Sequence, residues 1–271
     1  MLSKQKIKIV SSLKHKKFRD ELGLFVAEGE KNVVDLLQKF SCEMLFATQS
    51  WLQNNHNLFD MSAEQREVQI FEVKTSDELK PVSFLTTPQE VVAVFKIPAN
   101  TLSFRPTGEI ACKHEPISPF SRNDLILALD CVQNTGNLGT IIRIADWFGI
   151  SNVFCSLDTA DVYNPKVVQA TMGALANVNV HYVDLQQFIK QAKENKIPIF
   201  GTFLEGKNIY QQNLPKNGII VLGNEGNGIS AEIENLITEK LLIPNFSTKN
   251  QTSESLNVAV AAAIVCSEFR R

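Results

Sequence analysis

The stretch that decides the fold reads Ile219-Ile220-Val221-Leu222-Gly223-Asn224-Glu225-Gly226-Asn227-Gly228. A short apolar run that stops at a glycine is typical of a buried strand ending in a tight loop. A second strand and loop follow, in which Leu241-Leu242-Ile243-Pro244 leads through a polar segment to a small-residue helix that begins near Ser255. Two such loops can present backbone N–H and C=O groups to one ligand.

Outward from this stretch, the chain alternates short apolar runs with amphipathic segments, which predicts an α/β fold with a parallel sheet covered on both faces. The predicted strands of this C-terminal part are 125–130, 152–156, 178–183, 198–202, 219–222 and 240–243. Its predicted helices are 140–148, 165–174, 185–195, 231–236 and 255–269.

The N-terminal part has the pattern of a smaller α/β domain. Its predicted strands are 24–27, 44–47, 68–71 and 91–95, and its predicted helices are 31–40 and 76–80, the latter with Ser76 as N-cap. Four prolines between 98 and 123 favour an irregular connection. The predicted organisation is therefore a domain at 1–97, a linker at 98–123 and a domain at 124–271.

Composition limits the function classes. A chain of 271 residues with 44% hydrophobic and 21% charged residues is an ordinary globular composition, which excludes disordered, collagenous and coiled-coil proteins. The sequence shows neither a secretory signal pattern nor an apolar run long enough to span a bilayer, so we expect a cytoplasmic protein without a membrane partner. Five cysteines and four histidines are scattered along the chain, which favours reduced thiols and no metal site.

Three loops are expected at the carboxyl ends of the strands, where parallel α/β sheets bind ligands. They span 130–143, 222–230 and 243–257, and their glycines match neither the dinucleotide fingerprint nor the Walker motif. Each polar residue in them also has a structural interpretation. Asparagine and serine cap loops and helices, whereas a lone carboxylate or arginine can simply be solvated.

The motifs in these loops, taken in order, resemble the SPOUT methyltransferase superfamily, specifically its TrmH (SpoU) branch of RNA ribose 2′-O-methyltransferases. The resemblance covers 125–271 and rests on Asn137-Leu138-Gly139-Thr140-Ile141-Ile142-Arg143 with Ala145-Asp146, on Gly223 to Gly228, and on Ile243-Pro244 with Ser255-Leu256-Asn257-Val258. Residues 6–96 are similar to the small L30e-like substrate-binding domain, related to a ribosomal protein, that is often fused to this branch. That match rests on Arg19 with Gly23 to Gly29, and on Thr87-Pro88-Gln89.

The resemblance implies a deep trefoil knot that encloses S-adenosylmethionine, and a homodimer whose sites draw on both subunits. By position, the cofactor would be held by backbone and apolar contacts from Gly223, Ile243, Leu256, Leu222, Gly226 and Thr202. Catalysis would depend on Arg143, Asn137, Glu225, Ser255 and Asn257. Arg143 would activate the ribose hydroxyl, either as a base or, more easily for a guanidinium, by gripping the RNA phosphate and orienting the hydroxyl.

The N-terminal domain suggests the substrate. Lys14, Lys16, Lys17 and Arg19 lie in a basic segment that is either a solvated helix face or a set of phosphate contacts. With the resemblance, they become the predicted RNA-binding residues, and rRNA is favoured over tRNA. The alternatives are a catalytically inactive RNA-binding protein of the same fold, and a different cofactor-binding α/β enzyme.

The sequence departs from the family pattern in two loops. The loop before Arg143 reads Asn134-Thr135-Gly136-Asn137, where the family usually has Asp-Pro-Gly-Asn. The loop at 245–254 is about four residues longer than usual and lacks its usual glycine. Asn, Thr, Ser and Gln dominate this loop, so we expect it to be mobile in the absence of ligand.

Overall fold

A computed structural model describes residues 2–59, 68–98, 124–247 and 255–271. The predicted linker therefore lies outside the described residues except for Pro98, and so does the 248–254 part of the long loop. The chain forms two compact units, one made of residues 1–99 and 161–176, the other of residues 100–160 and 177–271. The helix predicted near 165–174 is present, and its contacts place it in the first unit.

The first unit contains a mixed sheet and five helices in its described parts. The strands are β1 Leu24–Glu28, β2 Cys42–Thr48, β3 Gln69–Val73 and β4 Val91–Lys96. The helices are α1 Lys4–Ser12, α2 Lys16–Leu22, α3 Glu30–Leu37, α4 Gln49–Asn54 and α6 Pro165–Thr171. The sheet order is β1-β4-β2-β3, with β2 and β3 parallel and the other pairs antiparallel.

The second unit is a six-stranded sheet in which all neighbouring strands are parallel. The strands are β5 Leu125–Leu129, β6 Asn152–Cys155, β7 Asn179–Tyr182, β8 Ile199–Asn208, β9 Gly218–Leu222 and β10 Glu239–Leu242. The helices are α5 Thr135–Trp147, α7 Leu185–Glu194, α8 Ala231–Glu234 and α9 Val258–Arg270. The predicted α/β class and parallel sheet are confirmed.

Strand order locates the site edge of this sheet. The order is β10-β8-β9-β5-β6-β7. The chain adds β6 and β7 on one side of β5, and then β8, β9 and β10 on the other side, so the direction of winding reverses between β5 and β9. β5 and β9 are adjacent, and every residue of both strands is buried. In open parallel sheets a ligand crevice forms beyond the carboxyl ends of the strands where the winding reverses. The loops after β5 and β9 therefore lie at the expected ligand edge.

Several helix boundaries differ from the sequence-based predictions; α3 ends at Leu37 instead of 40, and α6 ends at Thr171 instead of 174. Three further differences concern the starts of helices. α5 begins at Thr135, five residues before the predicted 140, because the Asn134 side chain caps it by accepting from the Asn137 N–H at 3.0 Å. α9 begins at Val258 with Asn257 as N-cap, so Ser255 is neither in the helix nor its cap. The short helix predicted at 76–80 is a 3-10 turn at Ser76–Leu79, with Thr75 in the N-cap position.

None of the helices in the described ranges is long and apolar enough to cross a membrane. Among the same residues, no group of three or more His, Cys, Asp or Glu side chains could hold a metal ion.

Candidate active site

Loops after two neighbouring strands are bound together at the edge of the second unit's sheet. The Asp130 N–H donates to the Leu222 carbonyl at 2.9 Å, which continues the β5–β9 ladder one step beyond the strands. The buried Asp130 carboxylate then accepts from the Ser230 N–H at 2.7 Å. Asp130 therefore ties both ends of the loop after β9 to the end of β5: it bonds Leu222 where the loop begins and Ser230 where the loop ends.

Asn224 organises the interior of that loop, and sequence reasoning did not select it as a site residue. Its Oδ1 accepts from the N–H groups of Gly226 and Asn227 at 2.9 and 3.0 Å. Its Nδ2 donates to the Cys131 carbonyl at 2.8 Å, which ties the loop to the segment after β5. The available signal was an asparagine two residues beyond a buried strand, a position where its side chain commonly bonds the local backbone.

Gly223 is required by the same loop. A Cβ atom at this position would overlap the backbone of Gly228 and of Ile229, where the loop returns beside its own start. Asn224 and Gly228 exchange backbone hydrogen bonds of 2.9 and 3.0 Å across that return. Because the obstacle is backbone, a side chain at Gly223 would force the loop to move.

A chain of side-chain hydrogen bonds joins three of the five predicted catalytic residues. The Asn257 amide donates to Oδ1 of Asn137 at 3.0 Å, and the Asn137 amide donates to Oε1 of Glu225 at 2.7 Å. Asn257 precedes α9, Asn137 lies in the first turn of α5, and Glu225 lies in the loop after β9. All three loops expected at the site thus meet through these side chains.

Arg143 and Ser255 stand outside this chain of hydrogen bonds. Both residues are exposed, and neither side chain makes a hydrogen bond or ion pair with another residue that the structure describes. The family resemblance implies that Asn137 holds Arg143 or the RNA, and that Glu225 orients Arg143 or an amide of the loops. In the described residues the Glu225 carboxylate accepts from the Asn137 amide, and no hydrogen bond joins either side chain to Arg143. Asn137 and Arg143 are six positions apart on α5, and at about 100° per residue their side chains point to faces about 120° apart.

The predicted cofactor-binding residues lie near the carboxyl edge of the sheet. At or just beyond the ends of β9 and β10 are Leu222, Gly223, Gly226 and Ile243, whereas Leu256 lies shortly before α9 and Thr202 lies within β8. Gly201 pairs with Val221, so Thr202 is level with Leu222 on the neighbouring strand. Ile243 directly follows β10, and Leu256 lies two residues before α9. The Gly226 N–H donates to Asn224 Oδ1, so a cofactor can contact only the other atoms of Gly226.

The segment after β10 presents apolar surface beside the end of β8. β10 pairs with β8 so that Leu242 is opposite Asn208. Two residues beyond Asn208, the Tyr210 ring stacks with the Phe246 ring at a centroid distance of 6.5 Å. Phe246 is 79% exposed and Leu256 is 50% exposed. An adenine ring can be held by such apolar groups and main-chain atoms without a charged side chain, so the residues present fit S-adenosylmethionine.

One thiol borders the loops of the site. Cys131, partly exposed, adopts a left-handed backbone with φ +57. Burial raises the pKa of this thiol, and the carboxylates of Asp158, Asp130 and Glu225 raise the pKa further, whereas a hydrogen bond from Gln133 lowers it. Because the thiolate is the nucleophilic form, this environment makes Cys131 a poor nucleophile.

A cavity of about 400 Å³ lies away from these loops, at the amino ends of β8 and β10. Its lining includes Pro198, Thr238 and Glu239 and none of the predicted catalytic or cofactor-binding residues. Parallel sheets bind ligands at the carboxyl edge, so this cavity is not the candidate active site.

The predicted RNA-binding residues of the first unit fall into two groups. Lys14, Lys16 and Lys17 are exposed and available to phosphates. Arg19 is 2% exposed, with Nε donating to Asp161 at 3.1 Å and Nη1 donating to the Leu13 carbonyl at 2.7 Å. Because this guanidinium is buried and already hydrogen-bonded, it cannot also bind an RNA phosphate. Arg19 is therefore not one of the phosphate-contacting residues.

Family models match both parts of the chain. Residues 124–267 match the SpoU rRNA Methylase family, and residues 4–93 match the MRM3-like substrate binding domain. The chain belongs to the SpoU rRNA methylase family, which confirms the predicted resemblance and makes the protein a methyltransferase by class.

Individual relatives match nearly the whole chain. The chain is similar to the 23S rRNA (guanosine(2553)-2′-O)-methyltransferase RlmP of Bacillus subtilis, with 28% identity over 98% of this chain and 96% of the relative. Its structure is similar to that of a TrmH-family protein from Porphyromonas gingivalis, with 38% identity, a TM-score of 0.81 and coverage of 100% and 98% of the two chains. It is also similar to an AdoMet-bound rRNA methyltransferase from Sinorhizobium meliloti, with 25% identity, a TM-score of 0.80 and coverage of 100% and 95%.

Proposed function

We propose that this protein transfers a methyl group from S-adenosylmethionine to a ribose 2′-hydroxyl of rRNA. The observation that carries the proposal is the hydrogen-bonded chain Asn257–Asn137–Glu225, which joins the three loops at the ligand edge of the sheet. The family, and relatives named as rRNA 2′-O-methyltransferases, support the reaction and the substrate class.

When bound, S-adenosylmethionine supplies an electrophilic methyl group, which the ribose oxygen takes as the carbon–sulfur bond breaks. The residues that would hold it are the backbone at Gly223, Ile243 and Leu256, with Leu222, Gly226 and Thr202 beside them. In this assignment the loop after β9, built by Gly223 and Asn224, provides a fixed wall for the cofactor.

Arg143 acts on the RNA. A guanidinium keeps its proton at neutral pH, so it serves poorly as a base and well as a bidentate clamp on a phosphate. With the phosphate next to the target ribose held by Arg143, the 2′-hydroxyl is oriented toward the methyl group, and its proton passes to water. Orienting two reactants in this way supplies much of the acceleration available to a transfer reaction.

Asn137, Glu225 and Asn257 position the loops, with Ser255 beside them on the segment that leads into α9. The Glu225 carboxylate fixes the Asn137 amide, and Asn137 fixes the start of the last helix through Asn257. These residues keep the three loops in one arrangement while substrate and cofactor exchange.

A homodimer and a trefoil knot are part of the proposal. α5 and α9 pack together, and Trp147 at the end of α5 is 84% exposed while Val260 on α9 is 49% exposed. A second copy of the chain that covered either side chain would bury apolar surface of this helix pair. The knot is included because the resemblance to the family implies it.

The proposed location is the cytoplasm, and the two parts of the chain have separate proposed roles. The described cysteines are free thiols, which suits the reducing cytoplasm in which a bacterial relative such as RlmP would meet its rRNA. We assign RNA binding to residues 1–97 and methyl transfer to residues 124–271, with 98–123 as the linker between them.

Two measurements test the proposal. Calorimetry with S-adenosylmethionine should show binding at one site per chain, which a different cofactor-binding enzyme would not show. A tritium-transfer assay on bulk rRNA and bulk tRNA should show label entering rRNA. Cofactor binding without transfer to either RNA would support the inactive RNA-binding alternative instead.

A further inference from the structure

An aromatic pair lies within the exposed lysines of the first unit. The rings of His15 and Phe18 meet edge to face at a centroid distance of 6.4 Å, and Phe18 is 38% exposed. Resting on the proposed RNA substrate, we propose that this pair is a stacking platform for unpaired bases. Lys14, Lys16 and Lys17 would hold the phosphates on either side.

The exposed lysines and the aromatic pair together indicate single-stranded RNA as the ligand of this surface. Five consecutive residues from Lys14 to Phe18 are all exposed, and three of them are lysines. Proteins that bind single strands combine a cationic surface along the backbone with aromatic rings on which the bases stack. In a duplex the bases are already stacked on one another, so a side-chain ring has no base face to cover.

The buried Arg19 side chain stabilises the turn that leads into the aromatic pair. Arg19 Nη1 donates to the carbonyls of Leu13 and Lys14 at 2.7 and 3.0 Å, and its Nε donates to Asp161. These bonds fix the chain between α1 and α2, immediately before the aromatic pair. A platform held in its binding conformation loses less entropy when RNA binds. Arg19 is therefore a positioning residue for the RNA surface and does not contact RNA.

A single exposed apolar side chain is ordinary on a protein surface. Phe18 differs from Ile70, which is 46% exposed on β3, because Phe18 has an aromatic neighbour and three exposed lysines within four residues. Ile70→Ala is therefore a matched control, since it removes exposed apolar surface from the same unit without removing an aromatic ring.

The experiment uses the full chain and two fluorescein-labelled RNA probes. One probe is a single-stranded oligouridylate, whose bases stack only weakly on one another, and the other is a fully paired RNA with the same number of phosphates. Affinities are measured by anisotropy over a series of salt concentrations for Phe18→Ala, Phe18→Leu, Phe18→Trp and Ile70→Ala. Phe18→Leu keeps apolar surface without a π-face, and Phe18→Trp keeps the π-face.

Phe18→Ala and Phe18→Leu should each weaken oligouridylate binding about 10- to 100-fold, the effect of losing one base stack. Their salt dependence should stay unchanged, because no phosphate contact is lost. Phe18→Trp should bind like the wild type, and none of the variants should change duplex binding. Lys16→Gln should instead weaken both probes and reduce the salt dependence.

Wild-type affinity in Phe18→Leu would overturn the proposal, as would an equal loss on the duplex or an equal loss from Ile70→Ala. Methyl transfer by the wild type is measured in parallel. If transfer occurs while Phe18 variants bind normally, the stacking inference fails and the proposed function stands. If no RNA accepts a methyl group, the proposed function fails whatever the binding results show.

Discussion

The Asn257 side chain donates a 3.0 Å hydrogen bond to the Asn137 side chain, although 120 positions separate them in the sequence. The orientation of both amides follows from their other partners. Asn257 Oδ1 accepts from the N–H groups of Ala259 and Val260 as the N-cap of α9, so its NH₂ group is the part left to donate. Asn137 receives that bond on Oδ1, so its own NH₂ group points to the Glu225 carboxylate.

This directional chain predicts that Asn137 and Asn257 act as one unit. Asn137→Ala and Asn257→Ala should each lower kcat, and the double variant should lose little more than the larger single loss. Residues in one hydrogen-bond network typically show coupling energies of about 0.5–3 kcal/mol in a double-mutant cycle. Single-turnover methyl transfer measures the three losses. Fully additive losses would show that the bond between the two side chains does not matter for catalysis.

Arg143→Ala should lower methyl transfer about 10²–10³-fold, the typical loss when one preorganised donor is removed. The affinity for S-adenosylmethionine should stay near the wild-type value, because Arg143 is assigned to the RNA. Arg143→Lys should be intermediate, since an ammonium keeps the charge and loses the bidentate geometry. Lys190→Ala, at an exposed cation on α7, is the matched control. Full turnover in Arg143→Ala would remove Arg143 from the mechanism.

The sequence predicted the sheet and the convergence of three loops, because period, glycines and strand ends are local signals. It did not predict that Asn257, rather than Ser255, caps α9. Both residue types are good N-caps, so the local sequence does not distinguish them. It also placed Arg19 on the surface with its neighbouring lysines. The partner that buries Arg19 is Asp161, 142 positions away, which no local pattern reveals.

Arg19→Ala should destabilise the first unit by about 3–5 kcal/mol, because it leaves the Asp161 carboxylate without its buried partner. Arg19→Lys should recover only part of the loss, since it cannot reach both Asp161 and the carbonyls of the α1–α2 turn. Urea unfolding followed by Trp51 fluorescence reports on this unit, because Trp51 is buried in it. A surface arginine would change the unfolding midpoint very little, so a small shift would contradict the burial of this pair.

Glu28 should make the stability of the first unit depend on pH. This carboxyl group is 4% exposed, and burial raises its pKa above the ordinary 4.5, while hydrogen bonds from Ser83, Phe84 and Leu85 oppose the rise. The folded state therefore binds the Glu28 proton more tightly than the unfolded state. The free energy of unfolding should fall as the pH rises from about 4.5 through the raised pKa. Glu28→Gln should flatten this dependence in urea unfolding at a series of pH values, and an unchanged slope would assign it to another group.

The most direct test of the central claim is the position of the transferred methyl group. rRNA labelled by the wild-type protein with tritiated S-adenosylmethionine is hydrolysed with alkali, which cleaves every linkage whose ribose keeps a free 2′-hydroxyl. We expect the label in alkali-resistant dinucleotides, and almost no label with the Arg143→Ala protein. Label recovered in mononucleotides would show methylation of a base, and would contradict the assignment of the ribose 2′-hydroxyl as the acceptor.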